Sequence, residues 1–175
     1  MIEFTPLEIP GAYGISSPSK SDSRGSLIRT WDGNPKLQEF NLAQASITLN
    51  PKSGTLRGMH FQTGPYAEKK IVLCVTGRVF DVVLDLREES TTFEEHIGFE
   101  IGQETSYLGI LIPAGCAHGY LTLDENSTLI YYMDKEFSID HTAGVLWNDP
   151  KYGIKWPQSP LVISDSDSKW GIKGQ

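Results

Sequence analysis

Apolar residues in this chain come in short runs cut by glycine and proline, and almost nowhere at helical spacing. Residues 71–75 and 79–87 set the pattern. They are two strand-like runs on either side of Thr76-Gly77, a hairpin-type turn. Similar runs predict strands over residues 26–31, 45–49, 56–62, 93–102, 107–112, 117–123 and 127–133. Residues 1–20 suit short extended pieces, residues 36–43 suit one helical turn, and residues 161–163 form a last apolar piece. Short strands at near-regular spacing predict an all-β sandwich or barrel. No repeat of fixed period and no linker interrupts the chain, so residues 1–175 read as a single domain.

Charge narrows the partners. Fifteen Lys and Arg against 22 Asp and Glu give a net charge of −7, with no basic block. Nucleic acid and anionic membranes are therefore poor partners, and an anionic small ligand would need a local cluster of cations. The N-terminus lacks the apolar segment of a signal peptide, and no apolar run is long enough to span a bilayer. Cys74 and Cys116 fall in apolar strand runs and read as buried free thiols. These features together predict a cytoplasmic protein.

One stretch carries more chemistry than the rest: Leu56-Arg57-Gly58-Met59-His60-Phe61-Gln62. Strand alternation would place Leu56, Gly58, His60 and Gln62 on one face and Arg57, Met59 and Phe61 on the other. Gly58 leaves room for something to approach the backbone. The spacing alone fits a satisfied strand histidine as well as a catalytic one. In the run 79–87, Val79, Asp81, Val83, Asp85 and Arg87 share a face, which reads as a solvated face with an ion pair. His96 and His141 read as surface residues. A metal-binding barrel would need clustered His and Glu, but Phe61 and Gln62 follow His60 and no second ligand pair appears. No metal and no cofactor is therefore expected.

With the strands placed, a family resemblance emerges. Asp22-Ser23-Arg24-Gly25, the 56–62 stretch, Lys70-Ile71-Val72 and residues 77–87 come in order along the chain. Residues 112–120, Tyr131, Trp147-Asn148-Asp149-Pro150 and Ile163-Ser164-Asp165-Ser166-Asp167 follow. In order and spacing, over most of residues 20–168, they resemble the nucleotide-sugar epimerases typified by dTDP-4-dehydrorhamnose 3,5-epimerase. The resemblance implies a cupin-type jelly roll, a homodimer and metal-free chemistry on a nucleotide-diphosphate-linked 4-keto-6-deoxy sugar. It matches His60 to the base, Asp167 to its carboxylate partner, Lys70 to the cation at the ketone oxygen and Tyr131 to the acid on the far face. Arg24, Arg57 and His118 match substrate-holding positions, Arg24 reaching across the dimer.

The chain also departs from the family pattern. Ala45-Ser46-Ile47 replaces a usual Gln-Asp-Asn run, Leu27 a frequent Phe and Leu73 a usual Arg. Arg29 stands where a Glu is frequent, and Ala143, Leu146 and Ser166 stand where basic residues are common. The catalytic set is kept while nucleotide-contacting positions change. Three rival readings stay open: a nucleotide-sugar 3,4-ketoisomerase, a metal-dependent cupin enzyme and a non-catalytic sugar-binding cupin. The His–Tyr–Asp set favours the epimerases over the ketoisomerases.

Overall fold

The computed structural model describes residues 1–170. Its strands are β1 (Glu3–Pro6), β2 (Tyr13–Ser16), β3 (Ser19–Asp22), β4 (Gly25–Ile28), β5 (Gln44–Asn50), β6 (Leu56–Gln62) and β7 (Lys70–Thr76). They continue with β8 (Arg78–Asp85), β9 (His96–Gly102), β10 (Gly109–Ile112), β11 (Cys116–Thr122), β12 (Ser127–Met133) and β13 (Thr142–Gly144). One short helix, α1 (Pro35–Gln38), is capped by Asn34, whose side chain accepts from the Lys36 amide, with proline at the first turn.

The strands form two facing antiparallel sheets, ordered β1-β2-β10-β7-β12-β5 and β13-β6-β11-β8-β9. Strands distant in sequence are neighbours in both, as a jelly roll requires, so the all-β expectation holds. Between the sheets, Val72, Ile110 and Leu129 meet Val79, Val83 and Ile101. The outer faces are covered as well. Ile71, Leu73 and Leu111 pack under Ile2, Leu37 and Phe40, while Met59, Val82 and Leu84 pack against Tyr152, Ile154 and Trp156. Burial on both faces explains why Ile71-Val72-Leu73-Cys74 is a continuous apolar run.

Three expectations need correction. The predicted strand 26–31 is half of an exposed hairpin, β3–β4, and Trp31 leaves it to pack edge-on against Phe40 and Tyr132 at 5.8 and 5.3 Å. The Asp81–Asp85 face is not solvated, because it is the inner face of β8 and both carboxylates are fully buried. Asp85 takes hydrogen bonds from Arg87, Ser90 and Thr92 at 2.6–2.8 Å, and these anchor the loop that delays β9 to His96. Finally, His96 and His141 are half-buried rather than surface residues, and His141 stacks against Tyr66 with centroids 4.5 Å apart. Cys74 and Cys116 are buried free thiols, both pushed up to about 12 chiefly by burial. Among the described residues no helix is long and apolar enough to cross a membrane.

Candidate active site

A cavity of about 690 Å³ lies between the sheets, within the usual size of small-ligand sites. β5, β7 and β12 supply one wall, β6 and β11 the other, and residues 162–170 close one side. Six of the seven residues singled out from sequence line it: Arg57, His60, Lys70, His118, Tyr131 and Asp167.

Simple alternation would have sent Arg57 and His60 to opposite faces. They share the cavity because β6 carries one extra residue opposite β11: His118 pairs with His60 but Tyr120 pairs with Arg57. Such a bulge re-aims side chains beside a site. Gly58 makes it possible. Its φ is +132°, and a Cβ there would sit 2.8 Å from the His118 carbonyl oxygen.

His60 Nε2 lies 2.6 Å from Asp167 Oδ1. Asp167 is 5% exposed and also accepts from the Gly58 amide and the Trp170 indole. Burial pushes its carboxyl up, but the bonds from His60, Gly58 and Trp170 outweigh this and hold it below the ordinary carboxylate value. The His60 side chain is 38% exposed. With Nε2 engaged, Nδ1 is the nitrogen left to take up a proton.

Tyr131 comes from the facing sheet, on β12, with its ring 6.1 Å from that of His118. Burial, then the neighbouring Tyr120 hydroxyl and Asp81 carboxylate, raise its phenol well above the ordinary tyrosine value. It therefore stays protonated at neutral pH. Lys70 Nζ, on β7, donates across the cavity to the His60 carbonyl at 3.3 Å and pairs with Glu68 Oε1 at 2.8 Å. His118 Nε2 is held by buried Asp81 at 2.8 Å. Arg57 Nε donates to Asn50 Oδ1 at 3.0 Å.

A histidine–carboxylate pair on one wall faces a protonated phenol and an ammonium on the other. That arrangement can move a proton off a ligand held between the walls and return one from the opposite side. Comparison with known proteins agrees with this chemistry. The model of the dTDP-4-dehydrorhamnose 3,5-epimerase family matches residues 6–172. The chain belongs to that family. The dTDP-4-dehydrorhamnose 3,5-epimerase of Sinorhizobium fredii is 37% identical over 131 residues, 74% of this chain and 67% of the relative. That of Methanothermobacter thermautotrophicus is 32% identical over 173 residues, 95% and 92% of the two chains. The Bacillus anthracis enzyme, solved with TDP and pyrophosphate bound, superposes with a TM-score of 0.88 at 31% identity, covering 97% and 98%. The 3'-monoepimerase of Streptomyces bikiniensis, in complex with dTDP-quinovose, gives 0.84 at 30% identity, covering 94% and 85%. Like the rest of the family, this chain is a nucleotide-sugar epimerase, with cupin architecture, acting on a 4-keto-6-deoxy sugar.

The positions that differ from the epimerase pattern scatter. Leu73 is in the outer core under α1. Ser46 and Ser166 line the cavity. Ile47 and Leu27 point outward, 65% and 63% exposed. Arg24, the seventh predicted residue, is not in its own chain's cavity. It sits at the tip of the β3–β4 hairpin, 88% exposed and bound to Asp22 at 2.6 Å. Three participants were not foreseen from sequence: Glu68, Asp81 and Trp170. Asp81 carried the only signal, an acidic residue inside an apolar run. That pattern marks a buried carboxylate with a partner at least as well as a wet face.

Proposed function

We propose that this epimerase inverts carbons flanking the ketone of its substrate by a two-wall proton transfer in which His60 is the base. The observation that supports this most directly is the 2.6 Å His60–Asp167 bond, which engages Nε2 and leaves Nδ1 for the substrate. In this reading His60 removes the proton beside the ketone, and Asp167 fixes the tautomer and balances the imidazolium. Lys70 holds the enolate oxygen and offsets the negative charge that develops there with a fixed positive one. Tyr131 delivers a proton from the other wall, and the carbon is inverted. His118, oriented by Asp81, binds the sugar, and Arg57 binds the diphosphate. The set calls on no cofactor.

The solved relatives bind TDP with pyrophosphate or a dTDP-sugar, and the cavity lined by Arg57 and Lys70 would take a ligand of that class. We further propose a homodimer in which Arg24 of each chain serves the other's cavity. The hairpin that carries Arg24 is exposed along its length, and it has no role within its own chain's site.

The test is incubation with nucleotide-linked 4-keto sugars in deuterated water, followed by NMR. The protein should exchange and invert the flanking carbons. His60→Ala should lose about 10²–10⁴-fold in turnover while keeping its fold. Near-normal turnover in that variant would remove His60 from the role.

A further inference from the structure

Lys70 and Glu68 form a buried pair at the cavity wall, their side chains 11% and 3% exposed. Lys70 gives one N–H to Glu68 Oε1 at 2.8 Å and one to the His60 carbonyl at 3.3 Å. An ammonium has a third donor, which is left for a ligand. Glu68 is unusual in turn. Its Oε2 is buried and has no hydrogen-bond partner, an expensive state for a carboxylate oxygen. Lys70 is the one cation within ion-pair distance of Glu68 among the described residues, and Glu68 the one carboxylate so close to Lys70.

Apart from Tyr131, the remaining ionisable groups of the cavity are committed elsewhere. Asp167 is bound to His60, His118 to Asp81, and Arg57 to Asn50. None of the carboxylates among them reaches Lys70. Among the described residues, Glu68 is therefore the one counter-charge that holds the Lys70 ammonium in place.

We propose that Glu68 is a positioning residue for the epimerisation: its carboxylate is the counter-ion that holds the Lys70 ammonium at the cavity wall and aims its third N–H at the ketone oxygen. The proposal rests on the role given to Lys70 above. Without its carboxylate partner, a long lysine side chain is no longer held in one geometry at the wall. An ammonium turned away from the ketone oxygen would leave the enolate charge uncompensated.

The pair does its work after the substrate is bound. Glu68→Gln keeps the shape of the side chain and removes the charge. It should lower kcat about tenfold or more and leave KM nearly unchanged. Solvent exchange and inversion should slow in step, since both pass through the enolate. A pair that only stabilised the wall would leave kcat intact, and an unchanged kcat in Glu68→Gln overturns the proposal.

A second measurement does not depend on activity. Lys70→Met strands the Glu68 carboxylate, so its Tm should fall, and adding Glu68→Gln to it should restore the loss. A Lys70→Met single variant as stable as the double variant would also overturn the proposal. If the wild-type protein exchanged no proton with any nucleotide-linked 4-keto sugar, the proposed function would fail, while this stability comparison would still decide the pair.

Discussion

His60 and Tyr131 stand on different sheets, and that separation is what inversion demands of individual residues. If one residue both removed and returned the proton, the carbon would keep its configuration. Tyr131, raised well above the ordinary tyrosine value by burial, is suited to quench an enolate and unsuited to generate one. Tyr131→Phe keeps the ring that packs against the inter-sheet core. It should retain substrate binding and solvent exchange beside the ketone, yet invert the carbon about 10²-fold or more slowly. NMR in deuterated water follows both events in one sample. Unchanged inversion would mean that another group or water supplies the proton. Loss of exchange together with inversion would place Tyr131 in the removal step instead. The positions of His60, Asp167, Lys70 and Tyr131 around one cavity were legible from sequence because they fall within recognisable motifs. The company Arg57 keeps was not, since strand alternation holds only where the ladder is regular, and the bulge at Gly58 breaks it. Glu68 was illegible for a different reason: a Glu beside two lysines looks like surface until the loop before β7 is seen folding into the cavity wall.

Among the elements, β8 shows how period-2 reading can be right about faces and wrong about what covers them. Its two faces were assigned correctly from alternation, but both are buried, because tail residues such as Trp156 cover the outer one. The inner face then holds two carboxylates in the sandwich, each with its own solution. Asp81 pairs with His118. Asp85 gathers Arg87, Ser90 and Thr92 and so fastens the β8–β9 connection. Burial pushes the Asp85 carboxyl up, but the bonds from Arg87, Ser90 and Thr92 dominate and hold it well below the ordinary carboxylate range. A lowered folded value contributes stability that is complete above the unfolded aspartate value of ~3.9 and is lost as pH falls through the folded one. Asp85→Asn should therefore cost roughly 2–3 kcal/mol at neutral pH, read by urea unfolding. The gap from wild type should narrow as pH drops below ~3.9. A gap that stayed constant into acid would mean that the carboxylate's charge is not what anchors the loop.

At the scale of the whole molecule, the cavity has features that a lone chain leaves unused. β5 forms one edge of its sheet, with Gln44, Ser46 and Thr48 facing the cavity and Ile47 and Leu49 facing out, 65% and 69% exposed. An open edge strand bearing apolar side chains invites pairing with another chain. The β3–β4 hairpin stands apart from both large sheets, and carries Arg24 where no group of its own cavity can use it. The proposed homodimer gives both features an occupant, since a two-fold assembly applies each to the other chain. Complementation separates sharing from simple pairing. Arg24→Ala should raise KM by weakening the hold on the diphosphate, and His60→Ala should abolish turnover. In a mixed dimer of these two variants, the Arg24→Ala chain keeps its own His60 and receives Arg24 from its partner, so one complete site is restored. Free exchange of equal amounts makes about half of the dimers mixed, each with one working site of two, so activity at low substrate should recover to about a quarter of wild type. If Arg24 acted within its own chain, neither variant could supply what the other lacks. The mixture would then show only the average of the two separate activities, and the shared site would be ruled out even if the protein proved dimeric.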